Sequence, residues 1–404
     1  MIDLLLETSR RLMASAPVGK HRFLFAKFAM NERLTGLIGP RGVGKTTLLL
    51  QYLRENHGRP GEAFYASADH LFFNRFSLLE FVREVHVRQG VRFFVFDEIH
   101  KYRGWQQEFK NIHDSFPEVR VAFSGSSSMA LQQGGYDLSR RAVMHRLPGL
   151  SFREYLNFVT GATHGRMSLE AILDDPAAAS EKISKIPRLL GFFEDYLAWG
   201  YYPFVFEGKE FFYEKLRSVL DKTIHEDIAA YYPLKTENLG FFKKILAFLA
   251  TVPPGGVNIH KVATNLGIDD KTVGQYLKIL QETGLLRLAE MEGRGHTILR
   301  RVGKFYLDNT TLHHAVCQGL GQPVDVGTVR ELFFLQSLEN AGHPVRLSPS
   351  KNDFQVAGNL FEVGGPNKRR KQLPGTSANE FVAKEGILSG SRGTIPLHVL
   401  GFLY

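Results

Sequence analysis

The chain has 404 residues, 44% of them hydrophobic and 23% charged, a composition typical of globular proteins that excludes a wholly disordered chain. A single cysteine, Cys317, excludes a disulfide framework and a cysteine-rich zinc site and suits a reducing cytosol. The net charge of +9 favours a polyanionic partner, although a modest basic excess also serves solubility alone. No apolar run approaches the ~18 residues of a membrane span. The charged N-terminus does not resemble a signal peptide, so we expect a cytoplasmic, multidomain protein with no membrane partner.

The first predicted elements are a strand, a glycine-rich loop and a helix around residues 34–50. The loop, Gly-Pro-Arg-Gly-Val-Gly-Lys-Thr-Thr at residues 39–47, matches the P-loop (Walker A) pattern G-x-x-x-x-G-K-[ST]. Backbone N–H groups of such a loop enclose phosphate, and the helix N-terminus adds its positive end. We expect Lys45 to reach the β- and γ-phosphates and the Thr46 hydroxyl to be a ligand of Mg²⁺. The predicted nucleotide contacts are Gly39, Pro40, Arg41, Gly42, Val43, Gly44, Lys45, Thr46 and Thr47.

The next strong signal is an apolar run at residues 91–96 that ends in Asp97 and Glu98. A run of this length between turn signals predicts a buried parallel strand. Its acidic end then lies where ligands bind in open α/β sheets. Asp97 is suited to hold Mg²⁺ through water, and Glu98 to act as the general base for the attacking water. An acidic strand end without function is a weak alternative once a P-loop precedes it.

A third strand, near residues 119–125, is followed by small hydroxyl residues. In ATPases whose acidic strand lies between the P-loop strand and a neighbour, a polar residue of that neighbour contacts the γ-phosphate and the water. Ser126 is our candidate for this sensor, although Ser-Gly-Ser is also common turn chemistry. Farther on, Arg140 or Arg141 would serve as an arginine finger, from the same or a neighbouring subunit, unless they are an ordinary surface pair. A finger allows a homo-oligomer without requiring one.

Five segments together resemble the AAA+-type ATPases of prokaryotes that carry a DUF4143 C-terminal region (the AAA_14/DUF4143 family), relatives of the archaeal ATPases. The resemblance implies an α/β fold of ASCE type with a parallel sheet, and ATP as the nucleotide rather than GTP. It extends along nearly the whole chain. The segments are the P-loop, Asp-Glu-Ile-His-Lys-Tyr-Arg-Gly-Trp at 97–105, Ser-Gly-Ser-Ser at 124–127, Arg-Arg-Ala-Val at 140–143 and Leu-Ser-Phe-Arg-Glu-Tyr-Leu at 150–156.

The middle of the chain predicts two helical regions. Residues 161–236 are acidic and rich in aromatic residues, and we expect a helical lid there. Residues 237–303 have the pattern of a winged helix, with three short helices and a wing hairpin of strands 285–291 and 296–301. In such folds the third helix enters the DNA major groove, but the fold also serves as a protein–protein spacer. The candidate DNA contacts in this region are Lys271, Lys278, Arg294 and Arg300.

The C-terminal segment, residues 304–404, resembles the restriction-endonuclease-like end of the DUF4143 family. The resemblance implies a possible second metal site of Glu331, Asp353 and Glu362. Gly364 stands where the nuclease pattern requires lysine, and Lys368 would have to reach back from the following loop. A degenerate nuclease fold is therefore the better expectation, with a last strand over residues 396–404. A basic run there fits a DNA phosphate contact or a solvated turn, namely Lys368, Arg369, Arg370 and Lys371.

These observations predict four parts: an ATPase domain (1–160), a helical lid (161–236), a winged helix (237–303) and a nuclease-like domain (304–404). The function they favour is Mg²⁺-dependent ATP hydrolysis by an AAA+-type protein that acts on duplex or branched DNA. One alternative is a signalling or defence switch whose ATP state controls a protein partner. The other is a metal-dependent DNA nuclease, which the missing lysine disfavours.

Overall fold

The computed structural model describes residues 2–59, 61–125, 140–232, 234–256, 258–291, 303–348, 353–368 and 380–404. They form two compact units, Met1–Gly149 and Leu150–Tyr404. We predicted the end of the first domain at residue 160, one helix later than this division. The helix Phe152–Thr160 belongs to the second unit, where its N-cap, Ser151, donates a hydrogen bond to the carbonyl of Tyr404 (2.9 Å). No helix of the described residues is long and apolar enough to cross a bilayer.

The first unit contains a five-stranded sheet in which every pairing is parallel. Its strands read as apolar runs because both faces of a parallel sheet are covered. The order across the sheet is β2-β3-β4-β1-β5. The strands are β1 (Leu34–Ile38), β2 (Ala63–Ser67), β3 (Phe93–Asp97), β4 (Arg120–Gly125) and β5 (Ala142–Arg146).

The position of β4 corrects one expectation. We expected the acidic strand, β3, to lie between the P-loop strand β1 and its neighbour, but β4 lies between β1 and β3. Each edge of β4 is paired, with β1 on one side and β3 on the other. The carboxyl end of β4 therefore stands between the P-loop and Asp97, and its last side chains become candidates for the nucleotide site.

Helices and an aromatic core complete the first unit. The helix α3 starts in a capping box, in which Ser77 and Glu80 each bond the other's backbone N–H. Phenylalanine rings pack between sheet and helices, for example Phe64 on Phe81 with centroids 4.7 Å apart. The helices are α1 (Ile2–Ser15), α2 (Lys45–Asn56), α3 (Leu78–Gln89) and α4 (Trp105–Ser115), with 3₁₀ turns at Leu71–Asn74 and Ile99–Lys101.

The second unit begins with helices, as expected for residues 161–236. Its aromatic side chains are largely core, since Phe193, Tyr196 and Phe212 are each at most 1% exposed. The helices are Phe152–Thr160, Leu169–Asp174, Pro176–Ser184, Leu189–Trp199 and Phe212–Lys222, the last continuing through a π-turn (Thr223–Ile228) into Ala229–Tyr231. A lid role for this region remains a prediction.

Three helices and a hairpin follow in the order predicted for the winged helix. The helices are Leu239–Thr251, Ile259–Leu266 and Asp270–Glu282, and β6 (Leu286–Glu290) pairs antiparallel with β7 (Gly303–Leu307). The expected second wing strand at 296–301 falls on residues outside the described ranges, and the strand that pairs with β6 lies later. The predicted boundary at residue 303 therefore cuts through this hairpin. The winged-helix identity itself remains a prediction.

The C-terminal part holds a mixed sheet and two helices. The helix Val326–Asn340 packs on it through Phe334, whose ring lies 5.2 Å from Phe354 and 5.1 Å from Phe361. The strand order is β12-β11-β10-β9-β8, with β10, β11 and β12 parallel. The elements are Thr310–Gly319, Val326–Asn340, β8 (Arg346–Leu347), β9 (Phe354–Val356), β10 (Asn359–Gly364), β11 (Glu380–Lys384) and β12 (Thr394–Pro396).

The final strand expected over residues 396–404 is wrong. Thr394–Pro396 is a strand, but Leu397–Phe402 is a 3₁₀ helix whose six residues are all buried. A short apolar run buried on every side satisfies either conformation, so its hydrophobicity carried no information about which one it adopts.

Candidate nucleotide-binding site

The glycines of loop 39–47 are required by its backbone. Gly42 (φ 80°) and Gly44 (φ 92°) lie in the left-handed region, where a Cβ atom is unfavourable. Gly39 has another reason, since a Cβ there would lie 2.1 Å from the carbonyl oxygen of Leu147. The loop then passes directly into α2, which starts at Lys45. The sequence pattern and the backbone therefore agree on a phosphate-binding turn at a helix N-terminus.

The Lys45 side chain turns back over the loop. It is 5% exposed, and its Nζ donates to the carbonyl oxygens of Gly39 and Pro40, each at 2.8 Å. These two bonds hold a full positive charge against the backbone that is expected to enclose the phosphates. The Lys45 ammonium therefore lies beside the loop, where it would attract a bound phosphate.

Asp97, the last residue of β3, is 2% exposed and receives four donors. The Thr46 hydroxyl donates to its Oδ2 at 2.5 Å, and the Tyr65 hydroxyl donates to the same oxygen at 2.9 Å. Its Oδ1 accepts from the Ser124 hydroxyl and from the backbone N–H of Glu98 at 3.1 Å. The two residues predicted to hold Mg²⁺, Thr46 and Asp97, are thus brought together. A hydroxyl beside a carboxylate is a hard oxygen set of the kind that Mg²⁺ takes in nucleotide sites.

Two of these donors, Tyr65 and Ser124, did not emerge from the sequence. Burial, followed by the charge of Asp97, raises the pKa of Tyr65 far above its ordinary value, so its hydroxyl remains a donor at neutral pH. Ser124 is fully buried near the end of β4, the strand that lies between the P-loop strand and β3. The signal available in the sequence was a hydroxyl on each strand that pairs with β3, Tyr65 in the middle of β2 and Ser124 near the end of β4.

Glu98 follows Asp97 in a strained conformation. Its φ of 51° is in the left-handed region, which costs a residue with a Cβ roughly 1–2 kcal/mol. Its N–H bonds Asp97 and also lies 3.3 Å from the Ser124 hydroxyl. Its Oε2 lies 3.8 Å from Arg41 Nη1 and 3.5 Å from His100 Nε2, and it accepts no hydrogen bond from the described residues. This carboxylate oxygen is thus held near Arg41 of the loop and can still accept a hydrogen bond, for example from a water molecule.

The other predicted catalytic residues are Ser126, Arg140 and Arg141. Ser126 lies outside the described residues, and its sensor role remains a prediction. Arg140 is exposed. Arg141 directly precedes β5, and its Nε lies 3.7 Å from Asp114 near the end of α4. The arginine-finger role of Arg140 or Arg141 remains a prediction.

The three carboxylates of the possible second metal site do not form one cluster. Among the described residues no group of three or more His, Cys, Asp or Glu side chains is arranged to hold a metal. Glu331 instead pairs with Lys304 Nζ at 3.1 Å and accepts from the Tyr306 hydroxyl at 2.5 Å. Asp353 and Glu362 share another cation, Lys368.

Lys368 does reach back, as its position required. Its Nζ lies 3.5 Å from Glu362 Oε2 and 3.8 Å from Asp353 Oδ2. A turn in which Lys368 N–H donates to the carbonyl of Gly365 (3.0 Å) directs the chain back over β10. Gly364 makes room for it, because a Cβ there would lie 2.8 Å from both Cβ and Cγ of Lys368. The glycine at position 364 and the lysine at position 368 therefore depend on each other: Lys368 can fold back over β10 only because position 364 has no side chain.

Three of the predicted DNA contacts lie within the described residues, and their role stays a prediction. Lys271 and Lys278 are exposed on the helix Asp270–Glu282, with Lys278 Nζ 3.7 Å from Glu282. Lys368 is occupied by the two carboxylates. The remaining candidates, Arg294, Arg300, Arg369, Arg370 and Lys371, lie outside the described residues.

Comparison with known families gives two matches. The model of an AAA domain matches residues 31–156, and a domain of unknown function, DUF8612, matches residues 191–323. The first match spans the P-loop, Asp97 and Glu98, so residues 31–156 are similar to an AAA domain. This match supports the AAA-type part of the resemblance, whereas the later match is to DUF8612 and not to the expected DUF4143. No curated protein matches the chain.

Solved structures give remote similarities. A Walker-type ATPase of Pyrococcus abyssi is 13% identical over 77% of this chain and 95% of its own, with a TM-score of 0.40. AMPPCP-bound DnaA from Aquifex aeolicus is 16% identical over 64% of this chain and 84% of its own, with a TM-score of 0.28. PCH-2 of C. elegans is 16% identical over 40% of this chain and 45% of its own, with a TM-score of 0.24.

Proposed function

We propose that this protein binds ATP with Mg²⁺ and hydrolyses it to ADP and phosphate. The observation that carries the proposal is the 2.5 Å bond between Thr46 and Asp97, residues 51 positions apart that belong to the two separate nucleotide motifs. Chance placement of both motifs would not bring their polar ends to one edge of the sheet. Support also comes from the AAA domain match over residues 31–156.

Each side chain has a role in this reaction. The loop N–H groups and Lys45 bind the phosphates. Thr46 and Asp97 would hold Mg²⁺, which would supply charge neutralisation on the phosphate oxygens. A water oxygen attacks the γ-phosphorus while the bond to the bridging β–γ oxygen breaks, and ADP leaves. Glu98 accepts the proton of that water through its carboxylate. Arg41 and His100 keep the carboxylate beside the loop.

DNA is the partner that we propose for the second unit, on the exposed lysines of the helix Asp270–Glu282. The test is ATP hydrolysis by the full chain with duplex, single-stranded and branched DNA at two salt concentrations. Stimulation by one DNA form that salt abolishes supports DNA action. Turnover unchanged by every DNA contradicts it and favours the alternative, an ATP-controlled switch with a protein partner, for which ATP should change the assembly state.

Charge removal on that helix gives a sharper test. The double variant Lys271→Gln/Lys278→Gln should weaken binding to all sequences alike. The slope of log affinity against log salt should fall by about two, because about one unit is lost for each phosphate contact. Fluorescence anisotropy with labelled duplex measures both quantities. Lys182→Gln, which removes an exposed charge from another helix, is the matched control. An unchanged slope in the double variant would refute these two contacts.

A metal-dependent nuclease is the second candidate, favoured by one observation, the approach of Lys368 to Asp353 and Glu362. Against it stands the pairing of the three carboxylates with different groups. Glu331 contacts Lys304 and the Tyr306 hydroxyl, whereas Asp353 and Glu362 contact Lys368. Plasmid cleavage in Mg²⁺ or Mn²⁺ decides: activity that Asp353→Ala removes supports a nuclease, and no activity in either metal refutes it.

If the cluster is structural, Lys368→Met should destabilise the second unit by about 1–3 kcal/mol. The variant removes the Lys368 ammonium that lies 3.5 Å from the carboxylate of Glu362, a residue 2% exposed. The full cost of breaking a buried pair, ~3–5 kcal/mol, is reduced because the Lys368 side chain is 30% exposed. Urea unfolding measures the change. Lys384→Met, on the neighbouring strand, is the control and should change stability by less than ~0.5 kcal/mol.

A further inference from the structure

The described part of the first unit contains a buried arginine that no motif predicted. Arg22 lies in the irregular segment between α1 and β1 and is 6% exposed. Its guanidinium donates to three backbone carbonyls: Val43 in the phosphate-binding loop, Pro148 at 2.7 Å and Gly149 at 2.9 Å. One side chain therefore joins the loop to the segment where the chain leaves the nucleotide domain.

The bond to Val43 has a consequence for the loop. A trans peptide holds its C=O and N–H in opposite directions. With the Val43 carbonyl turned toward Arg22, the N–H of Gly44 must point away from Arg22. A Val43 carbonyl turned the other way would present a negative dipole to the phosphates in place of this donor. Arg22 thus opposes the one peptide flip that glycine at position 44 would otherwise make easy.

A second contact joins the same two segments at the start of the loop. The close approach of Gly39 to the Leu147 carbonyl leaves no space between them, and Leu147 N–H donates to the carbonyl of Ile38 at 2.8 Å. Residues 147–149 therefore contact the loop directly at Gly39 and through Arg22 at Val43. The loop and residues 147–149 are therefore joined at two points, Gly39 and Val43.

We propose that Arg22 is a positioning residue for the nucleotide site: it fixes the Val43–Gly44 peptide for phosphate binding and ties the loop to residues 148–149. The inference rests on the proposed function, because it names how the loop of that site is held. Arg22 contacts no reacting atom and acts through the backbone.

The first test compares the buried Arg22 with the half-buried Arg33. Arg22→Ala should weaken ATP binding by about tenfold to a hundredfold, since one misaligned phosphate donor loses a charge-assisted hydrogen bond. The matched control is Arg33→Ala. Arg33 also donates to backbone carbonyls, those of His113 and Phe116, but away from the loop. Isothermal titration measures affinity, and thermal unfolding measures stability. Guanidinium chloride at millimolar concentration should restore part of the ATP affinity of Arg22→Ala.

The outcomes separate the hypotheses. Loss of affinity in Arg22→Ala but not in an equally destabilised Arg33→Ala supports the positioning role. Equal, small changes of affinity in both variants overturn it and make Arg22 merely structural. If Arg22→Ala does not fold, Arg22→Lys, which keeps the charge but not the three-way geometry, replaces it with the same criteria. A wild-type protein that binds no ATP overturns the proposed function itself.

A second measurement tests the tie to residues 148–149. Hydrogen exchange of the peptide covering residues 145–152 should slow when ATP binds to the wild-type protein. In Arg22→Ala at saturating ATP this protection should shrink, while the loop peptide is still protected. Equal protection in both proteins would show that the loop communicates with this segment without Arg22 and would overturn that part of the proposal.

Discussion

Lys45→Ala is expected to reduce ATP affinity at least about 100-fold. The ammonium is already held over the loop by the carbonyls of Gly39 and Pro40, so little reordering is needed when phosphates bind. A charge-assisted hydrogen bond contributes ~1.5–3 kcal/mol, and the loss of a second phosphate contact extends the effect. Isothermal titration with a non-hydrolysable ATP analogue measures the affinity without turnover.

The control for this result is Lys27→Ala, which removes an exposed lysine from the same unit. Lys45 is buried, so its loss also removes the donor of two loop carbonyls, and thermal unfolding must show that the variant is folded. Lys45→Met keeps the apolar stem and serves if the alanine variant is unstable. A folded variant that binds ATP within threefold of the wild-type protein would refute the role of Lys45 and, with it, the nucleotide site.

Glu98→Gln should bind ATP like the wild-type protein and hydrolyse it about 10²–10⁴ times more slowly. The amide is nearly isosteric with the carboxylate but accepts no proton, so only the chemical step is affected. Its position makes the distinction sharp: Asp97 and the loop hold the nucleotide, whereas Glu98 faces Arg41 and His100 beside them. Single-turnover hydrolysis and an affinity measurement, made on the same protein sample, separate the two effects.

Glu118→Gln provides the matched control, since it also removes a carboxylate paired with a histidine, His86 at 3.0 Å, away from the loop. It should leave both affinity and turnover unchanged. Equal loss of ATP binding in Glu98→Gln and Lys45→Ala would show that Glu98 acts on binding, and our assignment of the general base would be wrong.

The residues found from sequence alone are those whose roles are local. The loop at 39–47 and the pair Asp97–Glu98 could be predicted because each function is carried by neighbours in the chain. Tyr65 and Ser124 could not, because their contact with Asp97 depends on the order of strands in the sheet. Ser126 was chosen as the sensor two residues beyond the serine that contacts Asp97. Arg22 lies in a segment without periodicity, where nothing marks a buried cation.

The errors in the fold have equally physical causes. The hydrophobic pattern placed the three helices at 239–282 well, since an amphipathic stripe has only one period that fits it. It failed for the buried run Leu397–Phe402, where no polar face reveals the period. The strand that pairs with β6 is Gly303–Leu307, whereas the expected second wing strand at 296–301 lies outside the described residues and stays a prediction. For the C-terminal region the resemblance suggested DUF4143, whereas the family match over residues 191–323 is to DUF8612.

The turn that follows β10 has a consequence for how this sequence can vary. Position 364 tolerates no side chain while Lys368 folds back, because a Cβ there would collide with the base of that lysine. The cation beside Glu362 can therefore be supplied from the strand or from the turn, but never from both. A side chain at position 364 therefore requires Lys368 to leave its place over β10, so substitutions at positions 364 and 368 are coupled and their effects on stability should not add.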